Sequence, residues 1–550
     1  MGSFSSTSRQ NPGQNRWLPW SVAALALTIA TLLIAHTYSI FYQTFDEPAH
    51  IACGMEWLDR GTYFYEALHP PIARAATAVL PYLHGSRDLG IADMWDEGNG
   101  ILEHGSYETT LTLARLGILP FFWLTCWLTW RFMARRFGDW HATVAVLLLA
   151  FCPVVLGNSG LATTDTPLMA MFLWSLLALL DLLEGPKWST AVIAGLAVGL
   201  ATATKFTEMP FFAVGGGTLI LYFWIRRKAF PIPWKLFGLA LLVAFLGLWA
   251  AYRFSHGPIL RLEALTPGEL QKLARMAPWK RKILFFPSMP LNEFFFGLRE
   301  AFSTGVKGRL AYALGQTYTG GRWYFFPLAI LTKTPISLLV LTVFAVGWLL
   351  RSGKAWRDRD YLFLFCGILG PLAVAIPSQI NIGVRHVLPI YPFLAMLSAV
   401  AAVHLWQAGG RNPWPARVAV LLLVGWNIET CLRTSPDFFA YFNEPAAKHA
   451  SYLLIDSDLD WGQDLKRLDA RLAELHPDRV WLQYHGTADP AQLFPQNWKP
   501  LDSASRPAGW IAISENDFRE TPGYGWLAAY PYERVGRSIR LYHLSPPASN

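Results

Sequence analysis

Charge is scarce in this chain. Of its 550 residues only 15% are charged, while 53% are hydrophobic and the aromatics include 25 Trp and 35 Phe. Soluble domains carry about 25% charged residues, so an ordinary soluble enzyme is excluded. Cysteine is sparse as well. Cys53, Cys126, Cys152, Cys366 and Cys431 have neither metal-ligand spacing nor the density of a disulfide scaffold, and all but Cys53 fall inside apolar runs. Cysteine chemistry is therefore set aside. No Asn-x-Ser/Thr sequon occurs in the segments expected outside the membrane, which favours a prokaryotic membrane. The formal charge of +8 would suit nucleic acid, but much of the Lys and Arg lies in short loops beside apolar runs, where topology explains it. No nucleic-acid partner is expected. The first apolar run follows Arg16 and lacks a small-residue cleavage site, so it is expected to stay as a first helix and not to leave as a signal peptide.

What is present is a series of apolar runs of about 17 to 25 residues, the length a helix needs to cross roughly 30 Å of hydrocarbon with its backbone groups satisfied. They predict spans over Trp17–Tyr38, Leu111–Trp130, Ala142–Leu156, Pro167–Leu183, Ala191–Thr204, Pro210–Ile225, Trp234–Tyr252, Phe326–Leu350, Tyr361–Ile376, His386–Trp406 and Ala416–Leu432. The fold class is thus a polytopic α-helical membrane protein with about eleven transmembrane helices. Short basic loops fall on one face: Arg131, Arg135 and Arg136; Arg226, Arg227, Lys228 and Lys235; Arg351, Lys354, Arg357 and Arg359; Arg411 and Arg417. Positive-inside reasoning puts that face and the N-terminus in the cytoplasm, and the lack of external sequons makes a bacterial inner (plasma) membrane the expected location. The membrane module is 1–432, with large external loops at 45–110 and 253–325. The second loop is itself basic, but long loops translocate regardless of charge. Its Trp279, Lys280, Arg281, Lys282, Phe285 and Phe286 suit a segment lying on anionic headgroups. Residues 433–550 read as a small external (periplasmic) α/β domain. Strands are expected at Val480–Tyr484, Trp510–Ser514 and Ser538–His543, and a helix at Asp464–Leu475, where Leu465, Leu468, Leu472 and Leu475 recur at helical spacing.

The segment Phe45-Asp46-Glu47-Pro48-Ala49-His50 follows the first helix directly. Two adjacent carboxylates at a membrane surface are costly unless solvated or paired. Asp46 before Glu47 and Pro48 also suits a helix N-cap and first turn, and both readings stay open. Later in the same loop comes Leu68-His69-Pro70-Pro71-Ile72-Ala73-Arg74. In this order the two segments resemble the protein O-mannosyltransferases and their bacterial relatives that modify lipid A, within the C-type glycosyltransferase superfamily. Further matching pieces are Ala162-Thr163-Thr164-Asp165-Thr166-Pro167, Gly199-Leu200-Ala201-Thr202-Ala203-Thr204-Lys205, Lys333-Thr334-Pro335 and Arg385-His386-Val387-Leu388-Pro389. The resemblance covers roughly the first 430 residues. In the tail, Tyr441-Phe442-Asn443-Glu444 and the acidic run from Asp456 to Asp464 are similar to the bacterial phospholipid-carrier-dependent glycosyltransferases.

That resemblance implies transfer of a monosaccharide from a polyprenyl-phosphate-linked sugar donor to a protein, lipid or glycan acceptor, among membrane lipids. A hydroxyl is a weak nucleophile at neutral pH and needs a carboxylate to take its proton. Asp46 is the expected base, as the resemblance also implies. Glu47 and Asp165 are expected beside it to orient acceptor or sugar, with a helix cap as the alternative for Asp165. Lys205, Arg385 and His386 are candidates to stabilise the leaving phosphate, Arg385 first because guanidinium binds phosphate in a fork. For Lys205 and Arg385 the competing role is a snorkelling anchor. His69 is a candidate for phosphate or acceptor, or for fixing the Pro-Pro turn. Attack opposite the phosphate inverts the anomeric centre. Basic side chains can neutralise a monophosphate, so no metal and no cofactor is expected. Alternate aspartates in 456–464 invite a calcium reading, but Trp461 and Arg467 stand where an EF-hand needs Gly and Glu. Two other classes compete: a transporter or flippase of lipid-linked sugars, without transfer chemistry, and a receptor or assembly protein.

Overall fold

The computed structural model describes residues 17–227, 232–260, 267–408, 412–494 and 497–545. Lys228 and Arg411 of the expected basic loops lie outside the described residues.

Each of the eleven expected runs is helical. Among the described residues seven helices are long and apolar enough to cross a membrane, or up to nine if two bent pairs each count as one span. One pair is Asp139–Ala150 with Pro153–Ser159, bent by 66°, and the other is Phe325–Lys333 with Ile336–Arg351, bent by 117°. Proline sits at both breaks, as Pro153 and Pro335; it lacks the N–H and its ring clashes with the preceding turn, so neither helix continues straight. The other two runs form Trp188–Thr202 and Arg359–Ala375, of 15 and 17 residues.

Ion pairs mark one end of the bundle. Arg131 meets Asp181 at 3.1 Å, Arg359 meets Glu184 at 3.1 Å, and Arg136 pairs with Glu184 and lies 3.4 Å from Asp360. These contacts join the C-terminal ends of Leu119–Arg136 and Asp165–Glu184 to the start of Arg359–Ala375. Asp165 therefore lies at the opposite end of its helix, away from the basic loops.

At that opposite end the loop after the first helix folds into helices Glu47–Asp59, Pro71–Leu83 and Met94–Glu103 around Ile51, Met55, Ala78, Ile101 and Leu102. The chain approach there is close: a Cβ at Gly98 would overlap the Pro48 carbonyl. The helix that begins beside Asp46 is thus clamped on its far side.

The C-terminal residues form a five-stranded sheet in the order Trp498–Pro500, Val480–Gln483, Gly509–Ser514, Ile539–Leu544, Glu533–Val535. The first three strands are parallel and the last two pairings antiparallel. Helix Leu465–Leu475 buries Leu465, Leu468 and Leu472 against Val480, Leu482 and Leu541. Strands and helix fall within a residue or so of the positions read from alternation and helical spacing.

Candidate active site

Asp46 occupies the N-cap position of Glu47–Asp59, but its side chain makes no cap hydrogen bond. Its Oδ2 instead accepts from Arg385 Nη1 at 3.0 Å, and the side chain stays 30% exposed. Arg385 lies in the 3-10 segment Val384–Ile390, its side chain 8% exposed. The same Nη1 is 3.5 Å from Asp165 Oδ2, while Asp165 Oδ1 accepts from Lys205 Nζ at 2.6 Å. Four distant segments thereby build one alternating row: Asp46, Arg385, Asp165, Lys205. A buried carboxylate such as Asp165 requires such partners, because an unpaired charge in low dielectric is expensive. The cap position before its helix belongs to Thr164, and Asp165 itself is taken up by the two cations. Lys205 and Arg385 are both buried and turned toward acids, which is not the posture of a snorkelling anchor.

Glu47 corrects the expectation that it shares a cavity with Asp46. It is fully buried and points the other way, held by Arg115 Nε at 2.8 Å and Nη2 at 2.9 Å, and by the backbone N–H groups of Thr44 at 2.8 Å and Ala162 at 2.9 Å. Burial alone would raise its pKa; Arg115 and the two amides outweigh that and hold it below the usual carboxylate range. Arg115 also donates to the Phe41 and Tyr42 carbonyls at 3.1 and 2.8 Å. This pair fixes the chain that leads into Asp46.

His69 sits 3.2 Å from both Glu66 carboxylate oxygens, and Arg74 pairs with the same Glu66. The His69 ring meets the His50 ring edge-on at 5.3 Å. Burial, with Lys205 next, pushes His69 down to about 4, so it is neutral at pH 7. His386, one residue beyond Arg385, stacks on Phe326 at 6.4 Å between ring centroids.

The acidic run of the tail turns its carboxylates toward backbone amides. Asp458 Oδ1 accepts from Val384 N at 3.0 Å, Asp460 Oδ2 from Asn516 N at 2.8 Å, and Asp464 Oδ2 from Arg537 N and Ser538 N at 2.8 and 3.0 Å. Among the described residues no group of three or more His, Cys, Asp or Glu is placed to hold a metal ion. The alternate aspartates serve backbone amides. Two residues between them reach the site and were not legible as site residues: Ser457 Oγ accepts from Arg385 Nε at 3.0 Å, and the Trp461 ring lies 4.1 Å under the guanidinium. Lys333 is turned elsewhere, donating to the Phe439 and Asp458 carbonyls. Arg115 did carry a signal, since a charge inside an expected span demands a partner.

Residues 110–249 match the model of the dolichyl-phosphate-mannose-protein mannosyltransferase family. No curated protein matches the sequence significantly. Among solved structures, the S. cerevisiae protein O-mannosyltransferase Pmt1-Pmt2 complex bound to the sugar donor is similar with a TM-score of 0.56 and 11% identity, over 77% of this chain and 90% of that one. The fold is that of the C-type glycosyltransferases. ArnT from Cupriavidus metallidurans bound to undecaprenyl phosphate aligns over 95% of this chain and 98% of its own, with 15% identity and a TM-score of 0.49. The segment matched by the family model holds Arg115, Asp165 and Lys205, whereas Asp46 and Arg385 lie outside it.

Proposed function

We propose that this chain transfers a monosaccharide from a polyprenyl monophosphate to an acceptor hydroxyl on the outer face of a bacterial inner membrane, with inversion at the anomeric carbon. The observation that carries the reading is the Asp46–Arg385 pair, a partly exposed carboxylate and a buried guanidinium 3.0 Å apart, at the end of the bundle away from the basic loops. Asp46 takes the acceptor proton as the new bond forms. Arg385 meets the departing phosphate, where fixed positive charge is most effective because water is largely excluded. Asp165 and Lys205 hold Arg385 in line. The donor phosphate competes with Asp46 for the guanidinium, so donor binding frees the carboxylate for the acceptor. Glu47 acts by position, through Arg115, and not as a second acid. His69, neutral, and His386 line the approach to the phosphate. The exposed Trp279, Ile283 and Phe286 rest on membrane lipids, and residues 433–550 form an external domain. The family match at residues 110–249 supports a lipid-phosphate donor.

The test is a purified-protein assay with radiolabelled polyprenyl-phosphate hexoses and pentoses. Transfer to water or to a crude membrane acceptor is expected for the wild type, and Asp46→Asn is expected to lose it by about 10²- to 10⁴-fold while remaining folded. Near-full transfer by Asp46→Asn would remove the base from the scheme. Sugar-lipid movement without transfer, unchanged in the variant, would favour a flippase.

A further inference from the structure

The tail segment 456–463 touches both halves of the transfer pair. On one side it grips the arginine. Ser457 Oγ accepts from Arg385 Nε at 3.0 Å and donates its single proton to the Ile382 carbonyl. A hydroxyl bonded in both directions has its lone pair fixed, so it sets the direction of the Nε–H bond. The Trp461 ring supports the guanidinium plane from below at 4.1 Å, and Phe439 stacks on that ring at 5.6 Å with the planes 11° apart. Stacking on an aromatic face restricts a guanidinium to one plane, where a hydrogen bond alone would let it swing. Asp458 Oδ1 accepts from Val384 N at 3.0 Å, holding the backbone next to Arg385. The fit leaves no room for a side chain: Gly383 has a φ of +152°, and a Cβ there would overlap Ser457 Oγ.

On the other side the segment grips the chain that carries Asp46. Trp461 O accepts from Phe45 N at 2.9 Å and Gln463 O from Tyr42 N at 3.0 Å. Thr487, from the loop after strand Val480–Gln483, donates to Phe45 O at 3.0 Å, and His485 stacks on the Phe45 ring at 5.3 Å. Among these contacts, Trp461 is joined to both partners at once: its ring lies under Arg385 and its carbonyl holds the residue before Asp46. Arg385 and Asp46 come from segments 339 positions apart, and this strap spans between them.

We propose that the strap 456–463 of the C-terminal unit is a working part of the transfer site, with Ser457 and Trp461 as positioning residues that hold the Arg385 guanidinium toward the donor phosphate in fixed register with Asp46. This rests on the transfer reading above and gives the C-terminal unit its role in it. Neither residue touches the reacting atoms; both act through Arg385, and Trp461 also through Phe45. A misplacement of about 1 Å in a transition-state contact can lower rate about 100-fold. The effect belongs in kcat more than in donor KM, because the phosphate's charge grows as the glycosidic bond breaks.

The experiment uses the full-length protein in detergent or nanodiscs with four variants: Ser457→Ala, Trp461→Leu, Trp461→Phe and Asp46→Asn. Turnover is measured per folded molecule, with amounts normalised by gel filtration and thermal melting. Ser457→Ala and Trp461→Leu are expected to lower kcat about 10- to 100-fold with donor KM changed less than about threefold. Trp461→Phe, which keeps a ring face for the guanidinium, is expected to recover a large part of the loss. A role confined to folding would lower yield or melting temperature and leave kcat per folded molecule at the wild-type value; that result overturns the proposal. The two readings fail separately. If wild type turns over, Asp46→Asn does not, and the strap variants keep full kcat, the strap proposal falls and the transfer reading stands. If wild type turns over no donor, the transfer reading falls, and the strap is judged on polyprenyl monophosphate binding. In that case a Kd raised about tenfold or more in Ser457→Ala and Trp461→Leu supports it, and an unchanged Kd overturns it.

Discussion

At the residue scale the site is a row of alternating charges in which each member answers for its neighbour. Arg385 serves Asp46 through Nη1, approaches Asp165 with the same nitrogen and reaches Ser457 through Nε. That division of labour needs a planar fork with several donors in fixed directions. Lysine supplies one point charge on a flexible stem and cannot take the three at once. Arg385→Lys is therefore expected to fold and to lose about 100-fold in kcat, read in the donor assay. Retention of more than half the wild-type rate would show that charge alone suffices there. Glu47 illustrates the opposite case. Successive residues on a helix point about 100° apart, so two adjacent carboxylates at a helix start cannot both face one cavity. Asp46 looks toward Arg385; Glu47, one step on, looks into Arg115.

At the element scale the strap and the sheet it leads into are dense in buried acid. Burial raises Asp460 to about 7, with His485 pulling down and Asp517 pushing up, while the Asn516 amide and Ser514 pull down. In the unfolded chain the same carboxyl ionises near pH 4. Between those values the folded state binds a proton that the unfolded state has released, so stability falls as pH rises from about 4 to about 7 and levels above. Asp460→Asn, which keeps a carbonyl for the Asn516 amide, is expected to flatten that fall. Melting curves at pH 5 and pH 7 would show it as a smaller difference than in the wild type; an equal difference would mean that other groups set the slope. The elements themselves were largely legible. Hydrocarbon thickness dictates run length, which is why Trp17–Tyr38 was readable to the residue. Alternation gave away the strands of the tail. The bends at Pro153 and Pro335 follow from proline but were not read as breaks. Ser457 and Trp461 were beyond reach, because the contact from Ser457 to Arg385 joins positions 72 apart and the aspartates around them mimic a cation loop. Their carboxylates in fact close on amides, an arrangement that residue types alone cannot distinguish from ligation.

At the scale of the whole molecule, all five cysteines are buried, so thiol labelling starts from a silent background. Ala504, exposed in the C-terminal unit, and Ser352, exposed beside the basic loop that follows Ile336–Arg351, report on opposite faces. With an outward C-terminal unit, Ala504→Cys should react with a membrane-impermeant maleimide in intact spheroplasts and Ser352→Cys only after permeabilisation. The reverse pattern would invert the proposed topology. The strap also imposes an order in time. Asp46 belongs to the first tenth of the chain, yet its cation lies 339 positions later, and Phe45 is held by Thr487, 442 positions later. At about 5–20 residues per second of synthesis, the loop bearing the carboxylate waits on the order of 20–90 s for its partners. A nascent chain thus carries the Asp46 carboxylate with no guanidinium beside it, and on the proposed reading a half-made copy holds the base without the phosphate clamp.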